Sequence, residues 1–119
     1  MEIIKEIEDN TSLNKDEVKE LIESIKEKEG YIFPSYLADK TGFLIEDVSK
    51  CLLMLCVYNY LEHYTIPQYK NKIYTEYAKW GYSFSDHELM LQNIKGFYNT
   101  EDIRQINLLS AYKKHKFDK

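Results

Sequence analysis

Catalysis or metal binding in this chain would have to draw on three histidines, two cysteines and twenty acidic residues, and their spacing argues against both. His63, His87 and His115 fall on different expected elements. None belongs to an H-x-H or H-E-x-x-H pattern or to a Cys–His pair at ligand spacing, so no metal site is expected. Cys51 and Cys56 lie five apart on an expected helix. They point to different sides and suit neither a disulfide framework nor a C-x-x-C knuckle. Glu20 and Glu23 share a helix face, but lysines interleave with them at three- and four-residue spacing, as on an ordinary solvated face. Gly30, Gly42, Gly81 and Gly96 stand singly near expected element boundaries, so there is no phosphate-cradling loop. The eleven tyrosines lack the metal-binding H-x-H that accompanies a nicking tyrosine, and they read as core, hairpin and interface residues. The expectation is a protein without catalytic residues, cofactor, metal or small-molecule substrate.

Macromolecular contact is what remains, and charge bears on its kind. The net charge is −4, whereas phosphate binding favours a basic face. The cations are fifteen lysines and one arginine, Arg104, so arginine-based reading of guanine edges is poorly provided for. With 119 residues the chain reads as a single domain that buries roughly two-thirds of its unfolded surface. Met1 to Glu6 lacks the apolar centre of a signal peptide, and no run approaches the ~18 apolar residues of a membrane span. With two isolated cysteines besides, a cytoplasmic protein is expected.

The elements that must position any binding surface follow from periodicity and caps. Ile3, Ile4 and Ile7 are spaced for a short amphipathic helix, a helical extension over residues 1–12. Asn14 with Glu17 forms a capping box, and Leu13 with Val18 a hydrophobic staple, ahead of the stripe Val18, Leu21, Ile22 and Ile25. Gly30 is placed to close that helix. Pro34 suits the first position of a next short helix carrying Leu37 and Ala38, and Thr41-Gly42 turns the chain. A helix from about Ile45 to Val57 buries Val48, Leu52 and Leu55, with Cys51 partly covered. Two runs rich in β-branched and aromatic residues follow, Tyr60 to Ile66 and Ile73 to Tyr77, split by the loop at Pro67 to Lys72. Residues 78–119 read as a C-terminal helical extension: a connector with Trp80, a helix capped by Ser85 with Glu88, and a last helix with Ile103, Ile106, Leu109 and Tyr112 inward. The lysines of its basic tail, Lys113, Lys114 and Lys116, would complement that helix's dipole.

From the Ile32-Phe33-Pro34 entry through Leu37-Ala38, Thr41-Gly42-Phe43, Val48, Leu52, Leu55 and Tyr60-Leu61, the pattern resembles the winged helix-turn-helix superfamily. With the following hairpin the resemblance covers residues 31–77. It implies a mainly α fold with a small β-hairpin and additional N- and C-terminal helices, with 13–77 as the winged-helix core. It further implies that Ile45 to Val57 is the counterpart of the recognition helix and that Gln68 to Lys72 is the wing tip. Asn59 stands where many members have glycine, and tolerates the same left-handed conformation.

The outward side of that helix separates the functional readings. Leu44, Ile45, Glu46, Ser49, Leu53 and Met54 are expected to face out, with Lys50 beside them. A groove reader wants polar and cationic groups there, and an apolar face suits protein contact instead. The favoured reading is a regulatory or adaptor protein that binds a protein partner, or forms a homodimer, through those six residues. The second is a transcriptional regulator on double-stranded DNA, using Lys50, Tyr69, Lys70, Asn71 and Lys72 with Lys79 and the tail lysines on phosphates. Two further accounts of the apolar face stay open: terminal helices fold over it, or the facing is off by one position.

Overall fold

Asn14 begins the best-specified helix. In the computed structural model, which describes residues 2–69, 71–80 and 107–115, the Glu17 backbone N–H donates to Asn14 Oδ1 at 2.9 Å and the Asn14 N–H to Glu17 Oε1 at 3.0 Å. This reciprocal box satisfies two amide donors that a helix start leaves orphaned. Four α-helices form among the described residues: α1 (Glu2–Asn10), α2 (Lys15–Glu27), α3 (Pro34–Thr41) and α4 (Ile45–Val57). Pro34 occupies the first turn of α3, and Gly42 closes it in the left-handed conformation at φ 78° with its N–H on Ala38 O. Gly30 is also left-handed, at φ 73°. It is not the cap of α2, however, because that helix ends earlier, with Lys28 as an extended C-cap.

The chain divides into two compact units, Met1–Glu62 with Tyr112–Lys119, and His63–Ala111. In the first unit α1 and α3 both pack on α2 and on α4. Ile3 and Ile7 of α1, the stripe Val18, Leu21, Ile22 and Ile25 of α2, Leu37 of α3, and Val48, Leu52 and Leu55 of α4 form one buried cluster, with Leu61 and Tyr112 added. Cys51 belongs to it and is wholly buried, where partial cover was expected.

β1 (Leu61–Tyr69), which lies in the second unit from His63 on, is longer than the expected Tyr60–Ile66 run, because it continues through Pro67. Tyr74 N–H donates to Pro67 O at 2.9 Å, so the proline serves the hairpin as an acceptor, and the ladder lacks only the reciprocal bond that an N–H at this position would make. The hairpin is therefore tighter than a Pro67–Lys72 loop. β2 (Lys72–Ile73) pairs antiparallel with β1 in the register Gln68↔Ile73 and Tyr69↔Lys72, and Asn71 takes φ 66° at the turn. The expected strand Ile73 to Tyr77 is short for the same reason: the chain leaves the ladder into a 3-10 turn at Thr75–Tyr77 and re-enters it as β3 (Lys79–Trp80), in the register Tyr64↔Trp80 and Thr65↔Lys79.

The largest correction concerns the C-terminal helical extension. Asn107–Lys114 is a strand, β4, paired with β1, so the expected last helix through Leu109 and Tyr112 is not formed there. Its end is also held by Ile32: the Ile32 N–H donates to Tyr112 O at 2.6 Å and the Tyr112 N–H to Ile32 O at 2.8 Å. Partners remote in sequence supply the backbone hydrogen bonds that a helix would make locally, which decides between two patterns that both bury Tyr112. Ile103, Ile106 and the helix expected from Ser85 and Glu88 lie outside the described residues. The basic tail keeps a helix-end role for another helix: Lys114 Nζ donates to Lys26 O, in the last turn of α2, at 2.7 Å.

Candidate interaction surface

α4 is built to bury one side and leave the other in water. Its mean hydropathy is high because two faces carry aliphatic residues. The inner one, Val48, Cys51, Leu52 and Leu55, goes into the core, while Leu44, Ile45, Leu53 and Val57 remain 62, 45, 52 and 77 % exposed. Ile45, Ser49, Leu53 and Val57 are spaced four apart and form a single ridge along the helix. Glu46 and Lys50, both exposed, run beside it. The facing inferred from sequence is therefore correct for Leu44, Ile45, Glu46, Leu53 and Lys50. Ser49 is half-buried. Met54 is a correction: it packs against the core, since its position turns it toward the buried arc.

The helix ends are held independently of that face. At the C-terminus the Tyr60 N–H reaches Leu55 O at 2.9 Å and the Asn59 N–H reaches Cys56 O at 3.0 Å, with Asn59 left-handed at φ 66°. This is a Schellman closure with asparagine in the glycine position. The Tyr58 hydroxyl donates to Glu6 of α1. At the N-terminus Leu44 offers no side-chain cap, and Phe43 N–H turns instead to Thr41 Oγ1 at 3.3 Å. Asp47 is buried, and accepts the Ser12 N–H at 3.2 Å and the Ser12 hydroxyl. That carboxylate is spent on the fold and adds no negative charge to the outer face.

The residues expected at a wing tip lie at the hairpin of the other unit. Asn71 and Lys72 are exposed, Lys72 Nζ stands 4.6 Å from the centre of the Tyr74 ring, and Ile73 beside them adds an exposed aliphatic group. Lys70 and the side chains of Tyr69 and Lys79 lie outside the described residues. The tail lysine Lys113 sits 5.5 Å from the Tyr31 ring. These are lysines laid along tyrosine faces, an arrangement that keeps an ammonium accessible while covering aromatic surface.

No family model matches this chain, nor does any curated protein or solved structure.

The cysteines of α4 are muted, as is a histidine of the second unit. Burial pushes the Cys51 thiol up to about 12 and the Cys56 thiol to about 11, so both are protonated at neutral pH and poor nucleophiles. Burial also lowers His63 from its usual value. Among the described residues no three His, Cys, Asp or Glu side chains converge as a metal site would require, and no helix is long and apolar enough to cross a membrane. A groove of about 450 Å³ beside α1 and α2 is lined by Ile4, Lys5, Glu8, Asp9, Lys15 and Lys19, with charges of both signs around one aliphatic side chain.

Two members of the outer surface, Val57 and Tyr58, escaped the reading of the sequence. Val57 had a signal, since it continues the four-residue spacing through Leu53. Tyr58 had none, because its place depends on how the chain leaves the helix.

Proposed function

We propose that this chain is a non-enzymatic regulatory or adaptor protein that binds a protein partner, or a second copy of itself, through the outer face of α4. The observation that carries the reading is the ridge of Ile45, Leu53 and Val57, which stays open to water while the opposite face of the same helix is wholly buried. Full burial of an aliphatic side chain is worth roughly 1.5–3 kcal/mol, so a half-exposed row of this length retains several kcal/mol of association potential. Soluble chains seldom leave such a row uncovered without a use for it. A winged helix-turn-helix arrangement is part of the proposal: α3, a short turn, α4 and a hairpin follow in that order. In such a domain α4 is the recognition element.

The test compares wild type with Leu53→Asp, by light-scattering mass and by capture of partners from a host extract. Loss of an oligomer or of a specific partner, with the melting temperature unchanged, supports the reading. Identical mass and identical captured proteins in both would sink it.

Asn71 and Lys72 at the hairpin are exposed and support a second reading, in which that hairpin sits on the backbone of double-stranded DNA. That reading requires duplex affinity that falls steeply with salt and disappears in Lys70→Glu/Lys72→Glu. Salt-independent or absent binding rules it out.

A further inference from the structure

We infer that the occupant of the α4 face is α4 of a second copy, crossed antiparallel on a two-fold axis that passes at Ser49. This rests on the reading of α4 as the binding surface and goes beyond it by naming the partner. Three observations on this helix are self-complementary about that one position. First, Ile45 and Leu53 lie four residues to either side of Ser49, and the three occupy an arc of roughly 80°. A two-fold at Ser49 sets Ile45 of each copy against Leu53 of the other, aliphatic on aliphatic. Second, Ser49 is the small residue of the ridge, flanked by exposed large ones. Placed at the crossing point it lets the two backbones approach, and its hydroxyl meets its own symmetry mate.

Third, the charges match. Glu46 and Lys50 lie on the same flank of the ridge, and both are exposed. Among the described residues neither forms an ion pair within the chain. The two-fold brings Glu46 of one copy within about 3 Å, along the helix axis, of Lys50 of the other. That distance is within the span of the two side chains, and symmetry makes the pair twice. A heterologous partner would have no reason to find its complement written into this same helix. Val57 continues the apolar row beyond Leu53.

The experiment uses the full chain. Sedimentation of the wild type over a wide concentration range should show a reversible dimer. Glu46→Lys or Lys50→Glu alone, each of which sets like charges together twice, should weaken it by about tenfold or more. The double variant Glu46→Lys/Lys50→Glu restores opposite charges and should recover most of the affinity, with a native circular-dichroism spectrum throughout. Ser49→Cys should form a disulfide-linked dimer under mild oxidation, where the wild type, with Cys51 buried and Cys56 half-buried, does not.

A monomer at every concentration, with no cross-link at position 49, overturns the two-fold pairing. If Leu53→Asp nonetheless abolishes a partner complex, the broader reading of α4 survives. If Leu53→Asp changes nothing either, both fail together. A dimer indifferent to both single charge reversals also overturns the pairing, because it must use another surface.

Discussion

The carboxylate of Asp47 accepts both the backbone N–H of Ser12, at 3.2 Å, and the Ser12 hydroxyl, which fastens the turn between α1 and α2 to the first turn of α4. The acid is buried but Ser12 is exposed, so on its removal water replaces part of what the two donors lose. Asp47→Ala is expected to cost about 1–3 kcal/mol, and Asp47→Asn less. Urea unfolding should show a lower midpoint at unchanged slope. An unchanged midpoint in Asp47→Ala would show that this tie contributes nothing to stability.

Neighbouring positions on α4 should respond in opposite ways. Leu52 is wholly buried, and Leu52→Ala should destabilise by about 2–5 kcal/mol. Leu53, one residue on, faces water, and Leu53→Asp should leave stability within about 0.5 kcal/mol of wild type. Equal losses in the two variants would place Leu53 in the core and remove the basis for a docking face.

Asn59 carries the end of α4 in a conformation that β-branched side chains resist. Asn59→Gly should be neutral or slightly stabilising, and Asn59→Val should cost about 1–2 kcal/mol, read from thermal melts.

Thiol burial gives a pH dependence of known sign. The folded-state value of Cys51 is raised from 9.0 to about 12, so the unfolded chain loses its proton first. The contribution of this thiol to stability is complete below pH 9 and is lost as pH rises through about 12. Tyr112, raised from 10.0 to about 12 by burial and by the nearby Cys56 thiolate, adds to the decline above pH 10. Urea midpoints should therefore fall above pH 9, and less steeply in Cys51→Ala. Native protein at neutral pH should also react slowly with a thiol reagent until unfolded. Prompt labelling of two thiols in the folded state would contradict the burial.

The C-terminal strand is expected to hold the first unit together. Tyr112 is buried and exchanges two backbone hydrogen bonds with Ile32. Tyr112→Ala should cost about 3–5 kcal/mol, measured by chemical denaturation. A loss under about 1 kcal/mol would mean that the strand is an ornament on a helical core.

The helices and the outer face of α4 were legible in the residues themselves. Asn14 with Glu17, Pro34, Gly42 and Asn59 act within a turn or two of chain. The spacing of Val48, Leu52 and Leu55 leaves only one side for Ile45 and Leu53. Such signals are local, and local sequence carries them whole. Met54 was assigned outward because an apolar residue at the margin of a helical stripe fits either side, and packing against the core decided it.

What tertiary structure alone decided was the pairing of distant backbones and the fate of the acid at the start of α4. Leu109 and Tyr112 stand at a helical interval, yet Asn107–Lys114 is a strand, because β1 and Ile32 take up its backbone groups. Pro67 reads as a loop residue, yet β1 runs through it, because Tyr74 across the hairpin bonds to its carbonyl. Asp47 belongs to Ser12, 35 residues earlier in the chain. A hydrogen bond between remote residues leaves no period in the sequence; it exists only once the chain has closed on itself.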